Sequence, residues 1–216
     1  MLRGISRTFI WGFGLGVVSA VAMLWGLGVL HPASVSAHHP AGGARVRSSY
    51  ADASVTPDDA RLTPDEEQLV ERRLALPIAG LKAQEIEDTF NDLRGGVRRH
   101  EATDILAPRG TPVFAVDDGT IRKLFTSRQG GLTVYQFDPG ESYCYYYAHL
   151  DHYAAELREG TRVRRGQVIG YVGTTGNAPA NTPHLHLAVF KVGPAKHWWK
   201  GTPINPYPAL MDALKR

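Results

Sequence analysis

The stretch Pro183-His184-Leu185-His186-Leu187-Ala188-Val189-Phe190 alternates imidazole and aliphatic side chains. Successive side chains of a β-strand point to opposite faces. Read as a strand, the stretch presents His184 and His186 together on one wall of a cleft and turns Leu185, Leu187 and Val189 toward a core. By itself His-x-His leaves two readings open. It is either a metal ligand beside a proton-transfer group or a pair of surface histidines, because a metal site needs at least three ligands.

Upstream, Arg99-His100-Glu101-Ala102-Thr103-Asp104-Ile105 offers the best further ligands. If this segment is extended, positions 100, 102 and 104 share a face, and the small Ala102 leaves room for an ion between its neighbours. His100, Asp104 and His186 then make a set of two imidazoles and a carboxylate, which suits zinc and leaves a coordination position for water, the mark of a catalytic site. A third piece is Tyr145-Tyr146-Tyr147-Ala148-His149-Leu150, an aromatic strand whose period of two expects Tyr147 and His149 on one face.

Taken in order, His-Glu-Ala-Thr-Asp, Tyr-Ala-His-Leu and Pro-His-Leu-His resemble the signature of the lysostaphin/LytM-type zinc metallopeptidases, which cut peptide bonds in peptidoglycan. The resemblance runs from about Leu76 to Leu210 and includes Ala107-Pro108-Arg109-Gly110-Thr111-Pro112-Val113 and Gly166-Gln167-Val168-Ile169-Gly170. Ala102 stands where the family often has Gly, and Thr182 where Gly is frequent. The resemblance implies a duplicated hybrid β motif, one zinc ion per domain and peptidoglycan as partner. It also implies that His149 and His184 are the catalytic histidines beside the metal, one moving a proton and the other bonding the tetrahedral oxygen. Zinc on His100, Asp104 and His186 would bring a bound water toward a pKa of about 7.

The chain begins with Arg3 and Arg7, followed by an uncharged run over 9–30 that is long enough to cross a bilayer. Val35-Ser36-Ala37 resembles a cleavage site, so residues 1–30 read as a retained anchor or as a signal segment. Either reading puts the remainder in the cell envelope, on the periplasmic side of an inner membrane or exported after cleavage. Residues 31–61, rich in Pro, Ala, Ser and Gly, read as a flexible tether in which His38-His39 is incidental. Residues 62–75 announce a short helix, with Thr63 as N-cap, Pro64 in the first position, Glu66 closing a capping box and an end near Leu74.

Over 76–216 short apolar stretches separated by Gly, Pro and Asp turns predict an all-β domain with a compact antiparallel sheet, preceded by the membrane helix, the linker and the short helix. An internal echo, Gly110-Thr111-Pro112-Val113 and Gly160-Thr161-Arg162-Val163, precedes strands in both places. Biotinyl and lipoyl carrier domains share this pattern, but no Lys stands out on a hairpin tip. A net charge of +3 is too small to argue for nucleic acid. Cys144, the single cysteine, reads as a small buried hydrophobe, and Arg158, Arg162, Arg164 and Arg165 read as a solvated turn. Trp198 and Trp199 either line a groove or close the core, and the loop at 177–182 borders the site because it leads into His184. Alternatives to an enzyme are a wall-binding activator of amidases that has lost zinc ligands, or an envelope scaffold; a regulatory protein partner is open.

Overall fold

The computed structural model describes residues 61–216. The segment read as an anchor or signal over 1–30, the cleavage-like Val35-Ser36-Ala37, His38-His39 and the tether up to residue 60 lie outside the described residues.

In chain order the elements are α1 (Pro64–Glu71), β1 (Leu93–Arg94), β2 (Arg98–Arg99), β3 (Thr103–Leu106), β4 (Pro112–Phe114), β5 (Gly119–Ser127), β6 (Gly131–Phe137), β7 (Tyr143–Tyr153), β8 (Arg162–Val163), β9 (Val168–Val172), β10 (His184–Val192), β11 (Gly201–Ile204) and α2 (Tyr207–Ala213). Strands β1 and β2 form a separate hairpin, and the other nine make one antiparallel sheet. Its main path runs β11-β10-β7-β6-β5-β8, with β3 on β10, β9 on β7 and β4 on β9. Strand β10 carries the alternating run from His184 to Val189, and it alternates as expected. Leu185, Leu187 and Val189 are completely buried, and each such burial contributes about 2 kcal/mol. They pack with Ile105, Tyr145 and Tyr147 in the main core. The echoed Gly-Thr pairs sit in matching turns, Thr111 donating to Pro108 O and Thr161 to Arg158 O, both at 3.1 Å.

Two helices accompany the sheet, so the domain is mostly rather than wholly β. Helix α1 starts as its sequence dictates, with the Thr63 and Glu66 side chains each accepting the other's backbone N–H. It stops at Glu71, short of Leu74, because Arg73 takes a left-handed φ of 56° and Leu74 turns into the core. The sequence reading expected only strands near the C-terminus, and α2 corrects it. Pro206 and Pro208 sit at a helix start, where a missing N–H is harmless, and the run Ala209-Leu210-Met211-Asp212-Ala213 favours helix. Leu210 of α2 and Leu69 of α1 are both completely buried.

Candidate metal centre and cleft

Register builds the site. His186 of β10 lies opposite Asp104 of β3 on one edge and opposite Ala148 of β7 on the other. His100 arrives differently from expectation, because the segment is not a straight strand. Glu101 takes a φ of 57° and β3 begins only at Thr103, so Ala102 is buried completely and does not line the cleft. His100 N donates to Asp92 O at 2.8 Å and Glu101 N to Phe90 O at 2.9 Å, which holds the kink. The outcome is a triangle: His100 Nε2 is 3.0 Å from His186 Nδ1 and 3.1 Å from Asp104 Oδ1, and His186 Nδ1 is 3.0 Å from Asp104 Oδ1.

His149 corrects the sequence reading of β7. Tyr147 is completely buried and donates its hydroxyl to Gln136 Oε1 at 2.9 Å, whereas Tyr146 and Ala148 line the cleft. Strict alternation would send His149 into the core after Tyr147. Instead His149 takes a φ of 60°, and the pairing of β6 with β7 slips between Leu132 and Val134. The left-handed residue costs about 1–2 kcal/mol and delivers the imidazole to the cleft. Thr175 secures it. The His149 Nδ1 atom lies 2.8 Å from Thr175 O, while Thr175 Oγ1 donates to Leu150 O at 2.7 Å and accepts from Leu132 N at 2.9 Å. This close docking of two loops requires glycine: a Cβ on Gly131 would sit 2.2 Å from Thr175 Oγ1, and one on Gly176 would sit 2.3 Å from Gln129 O.

A carbonyl oxygen can only accept, so each imidazole nitrogen facing one carries the proton. His149 Nδ1–H donates to Thr175 O, and His184 Nδ1–H donates to Thr182 O at 2.8 Å. His100 Nδ1 lies 3.1 Å from both Thr89 O and Arg94 Nη2, which fixes the ring with its Nε2 facing the triangle. Burial, reinforced by the neighbouring His186 and His184, pushes the His149 pKa down to about 4 against the opposing Thr175 bond, so this imidazole is neutral at pH 7. Burial also lowers His186. For Asp104 burial opposes ionisation, but the close approach of His100 and His186 outweighs it and holds the carboxyl far below its usual range.

Three electron-pair donors this close repel one another unless a cation lies among them. Their spacing is near the edge, about 3.3 Å, of a tetrahedron with bonds of about 2 Å, and two imidazoles with one carboxylate fit a divalent metal ion such as zinc. His149 and His184 stand beside this set, their ring centroids 4.8 Å apart and His149 5.6 Å from His186. All five residues singled out from sequence therefore line one cleft of about 690 Å³.

The same cleft includes Asn177, Ala178 and Pro179 of the loop that was expected to border it. It divides the two tryptophans: Trp198 packs with Phe137, Cys144 and Val192, and Trp199, 59% exposed, lines the cleft. Cys144 is buried, and burial raises its thiol pKa, so it is inert. Arg165 departs from the solvated-turn reading by donating to Asp117 Oδ1 at 2.7 Å. His152 stacks on Tyr171 and stays outside the cleft lining. Sequence reasoning missed Arg94, whose Nη2 donates to Asp104 Oδ2 at 2.7 Å and so leaves Oδ1 to face the imidazoles. Its signal was Gly95-Gly96, the turn of the β1–β2 hairpin.

The chain also resembles known proteins in sequence and in fold. The model of peptidase family M23 matches residues 98–206. The L-Ala--D-Glu endopeptidase of Bacillus subtilis is 37% identical over 129 residues, covering 56% of this chain and 38% of the relative. The peptidoglycan DD-endopeptidase ShyC of Vibrio cholerae is 34% identical over 111 residues, covering 49% of this chain and 24% of the relative. The matched segment thus spans well under half of either protein. Among solved structures, a Ruminococcus gnavus protein described as a LytM glycyl-glycine endopeptidase superposes with a TM-score of 0.53 at 29% identity, covering 66% of this chain and 59% of that one.

Proposed function

We propose that this chain, which belongs to peptidase family M23, is a zinc-dependent endopeptidase that hydrolyses peptide bonds in bacterial peptidoglycan. One observation carries the reading: the donor atoms of His100, Asp104 and His186 converge within 3.1 Å of one another in a cleft that also holds two further imidazoles. The names of the relatives, an L-Ala--D-Glu endopeptidase and a peptidoglycan DD-endopeptidase, support the substrate class. An activator that had lost its ligands would lack part of this set, and the chain keeps all of it.

Zinc held by these three side chains would supply Lewis acidity, lowering the pKa of a water toward about 7 and polarising the scissile carbonyl. The protein's own groups do the rest. His149, neutral and with its Nδ1–H tied to Thr175 O, presents a free Nε2 lone pair that takes the proton of the attacking water and returns it to the leaving amine. His184, oriented by Thr182 O, hydrogen-bonds the oxygen that gains charge. Arg94 keeps Asp104 from rotating. The segment 1–30 anchors the domain to a membrane or directs its export, so that the cleft faces the wall.

The test is digestion of purified peptidoglycan by the full chain, with mass spectrometry of the products, beside His186→Ala and a chelator control. New peptide-cleavage products that vanish in both controls are expected. Products that persist in either control, or none from zinc-loaded protein, would overturn the proposal.

A further inference from the structure

The cleft is electrically lopsided. Strands β3 and β11 lie end to end along one edge of β10, since β3 pairs with 184–187, β11 with 189–192, and β7 takes the opposite edge. The segments that lead into those two strands bring the cationic side chains: Arg94 and Arg98 from the β1–β2 hairpin, Lys200 from the loop before β11. The β6–β7 side contributes Gln129, Gly130, Tyr135, Tyr146 and Ala148, none of them charged. Arg94 is matched by Asp104 at 2.7 Å. Arg98 and Lys200 are exposed and make no ion pair among the described residues, and Glu101 is the one other acidic group lining the cleft. Beside Lys200 stands the exposed ring of Trp199.

Two unpaired cations beside a divalent site and an exposed aromatic ring match a peptide that carries its own negative charge. We infer that the flank formed by Arg98 and Lys200 binds a free carboxylate of the substrate, while Trp199 covers apolar parts of the same peptide. The preferred substrate is therefore an acidic stem peptide, with its carboxylate on the β3/β11 side of the scissile bond, rather than an uncharged bridge. This inference rests on the endopeptidase reading and narrows it. A glycan strand, which offers no comparable charge, fits this flank less well.

The experiment uses the full zinc-loaded chain and soluble crosslinked muropeptides in two forms, untreated or with their free carboxylates converted to amides. Wild type is expected to cleave the amidated form with kcat/KM lower by about tenfold, mainly through KM, as loss of one charge-assisted contact predicts. Raising the ionic strength should narrow that gap. In the double variant Arg98→Gln, Lys200→Gln the ratio between the two forms should fall to near one, and Arg98→Lys should retain most of it. Equal cleavage of both forms by wild type, or a ratio the double variant leaves intact, overturns the inference and spares the endopeptidase. Cleavage of intact peptidoglycan but of neither muropeptide overturns it in favour of glycan recognition. Cleavage of nothing at all overturns the endopeptidase reading and this inference with it.

Discussion

Replacing His149 by Gly and, separately, by Ala divides the residue's chemical role from its backbone. Its φ of 60° is one that L-residues adopt at a cost of about 1–2 kcal/mol. Glycine escapes that cost but gains about 0.5–1 kcal/mol of conformational freedom in the unfolded chain relative to alanine. Both variants lose the same imidazole and the same bond to Thr175 O, so the difference between them isolates the backbone. His149→Gly should exceed His149→Ala in stability by about 0.5–1 kcal/mol, a Tm difference of about 1–4 °C for a domain of this size. At an ordinary strand position the order would be reversed by a similar amount. Thermal unfolding of the two full-length variants, metal-stripped so that ion binding does not contribute, reads this difference. Peptidoglycan digestion by the zinc-loaded forms should fall by about 10²–10⁴ in both, with bound zinc retained. If alanine is the more stable substitution, the left-handed turn that aims His149 is wrong. If either variant stays active, so is its role as base.

Two further changes test the frame around the site. Thr103 Oγ1 is the buried side-chain polar atom without a hydrogen-bond partner among the described residues, so Thr103→Val should stabilise the domain by about 1 kcal/mol, read as a higher urea midpoint; a lower midpoint would mean that the hydroxyl has a partner. Asp117 accepts from Arg72 at 2.6 Å, Arg165 at 2.7 Å and Tyr145 at 2.8 Å, tying α1 and the turn before β9 to the sheet. Asp117→Asn should cost about 3 kcal/mol, at the low end for a broken buried pair because Arg72 also reaches Asp138 at 3.3 Å. Burial resists ionisation of Asp117, but the bonds from Arg165, Arg72 and Tyr145 win and lower its pKa. A carboxyl depressed on folding stabilises above its unfolded value of about 4, and that contribution is lost as pH falls through the folded value. The gap between wild type and Asp117→Asn should therefore shrink between pH 7 and pH 3 in urea titrations, and a gap that stayed constant would contradict this assignment.

What the sequence made legible was periodic or local. The alternation over 184–189 places both histidines of β10 in the cleft and their aliphatic neighbours in the core, because a period of two survives in a strand held on both edges. The capping box at Thr63 is equally local, as the residues that form it are three apart. His100 and Asp104 were identified correctly as neighbours of His186, yet by the wrong local geometry, since one left-handed residue at Glu101 replaces the straight strand. His149 was likewise expected at the site, yet on one face with Tyr147, and that local geometry was wrong: a single φ reverses the face, and no pattern of polarity records it. Arg94 and Arg165 escaped because charged side chains read as solvated until the fold supplies their partners, here Asp104 and Asp117. Helix α2 escaped because seven residues are too few to show a helical period.

The most direct test of the central claim is zinc titration of the metal-stripped full chain, following bound zinc and peptidoglycan hydrolysis in the same samples. Hydrolysis should rise in proportion to bound zinc and level off at one ion per chain, and Asp104→Asn should bind it far more weakly. Hydrolysis that survives stripping, or that levels off only with a different number of ions, would contradict a single centre built from His100, Asp104 and His186.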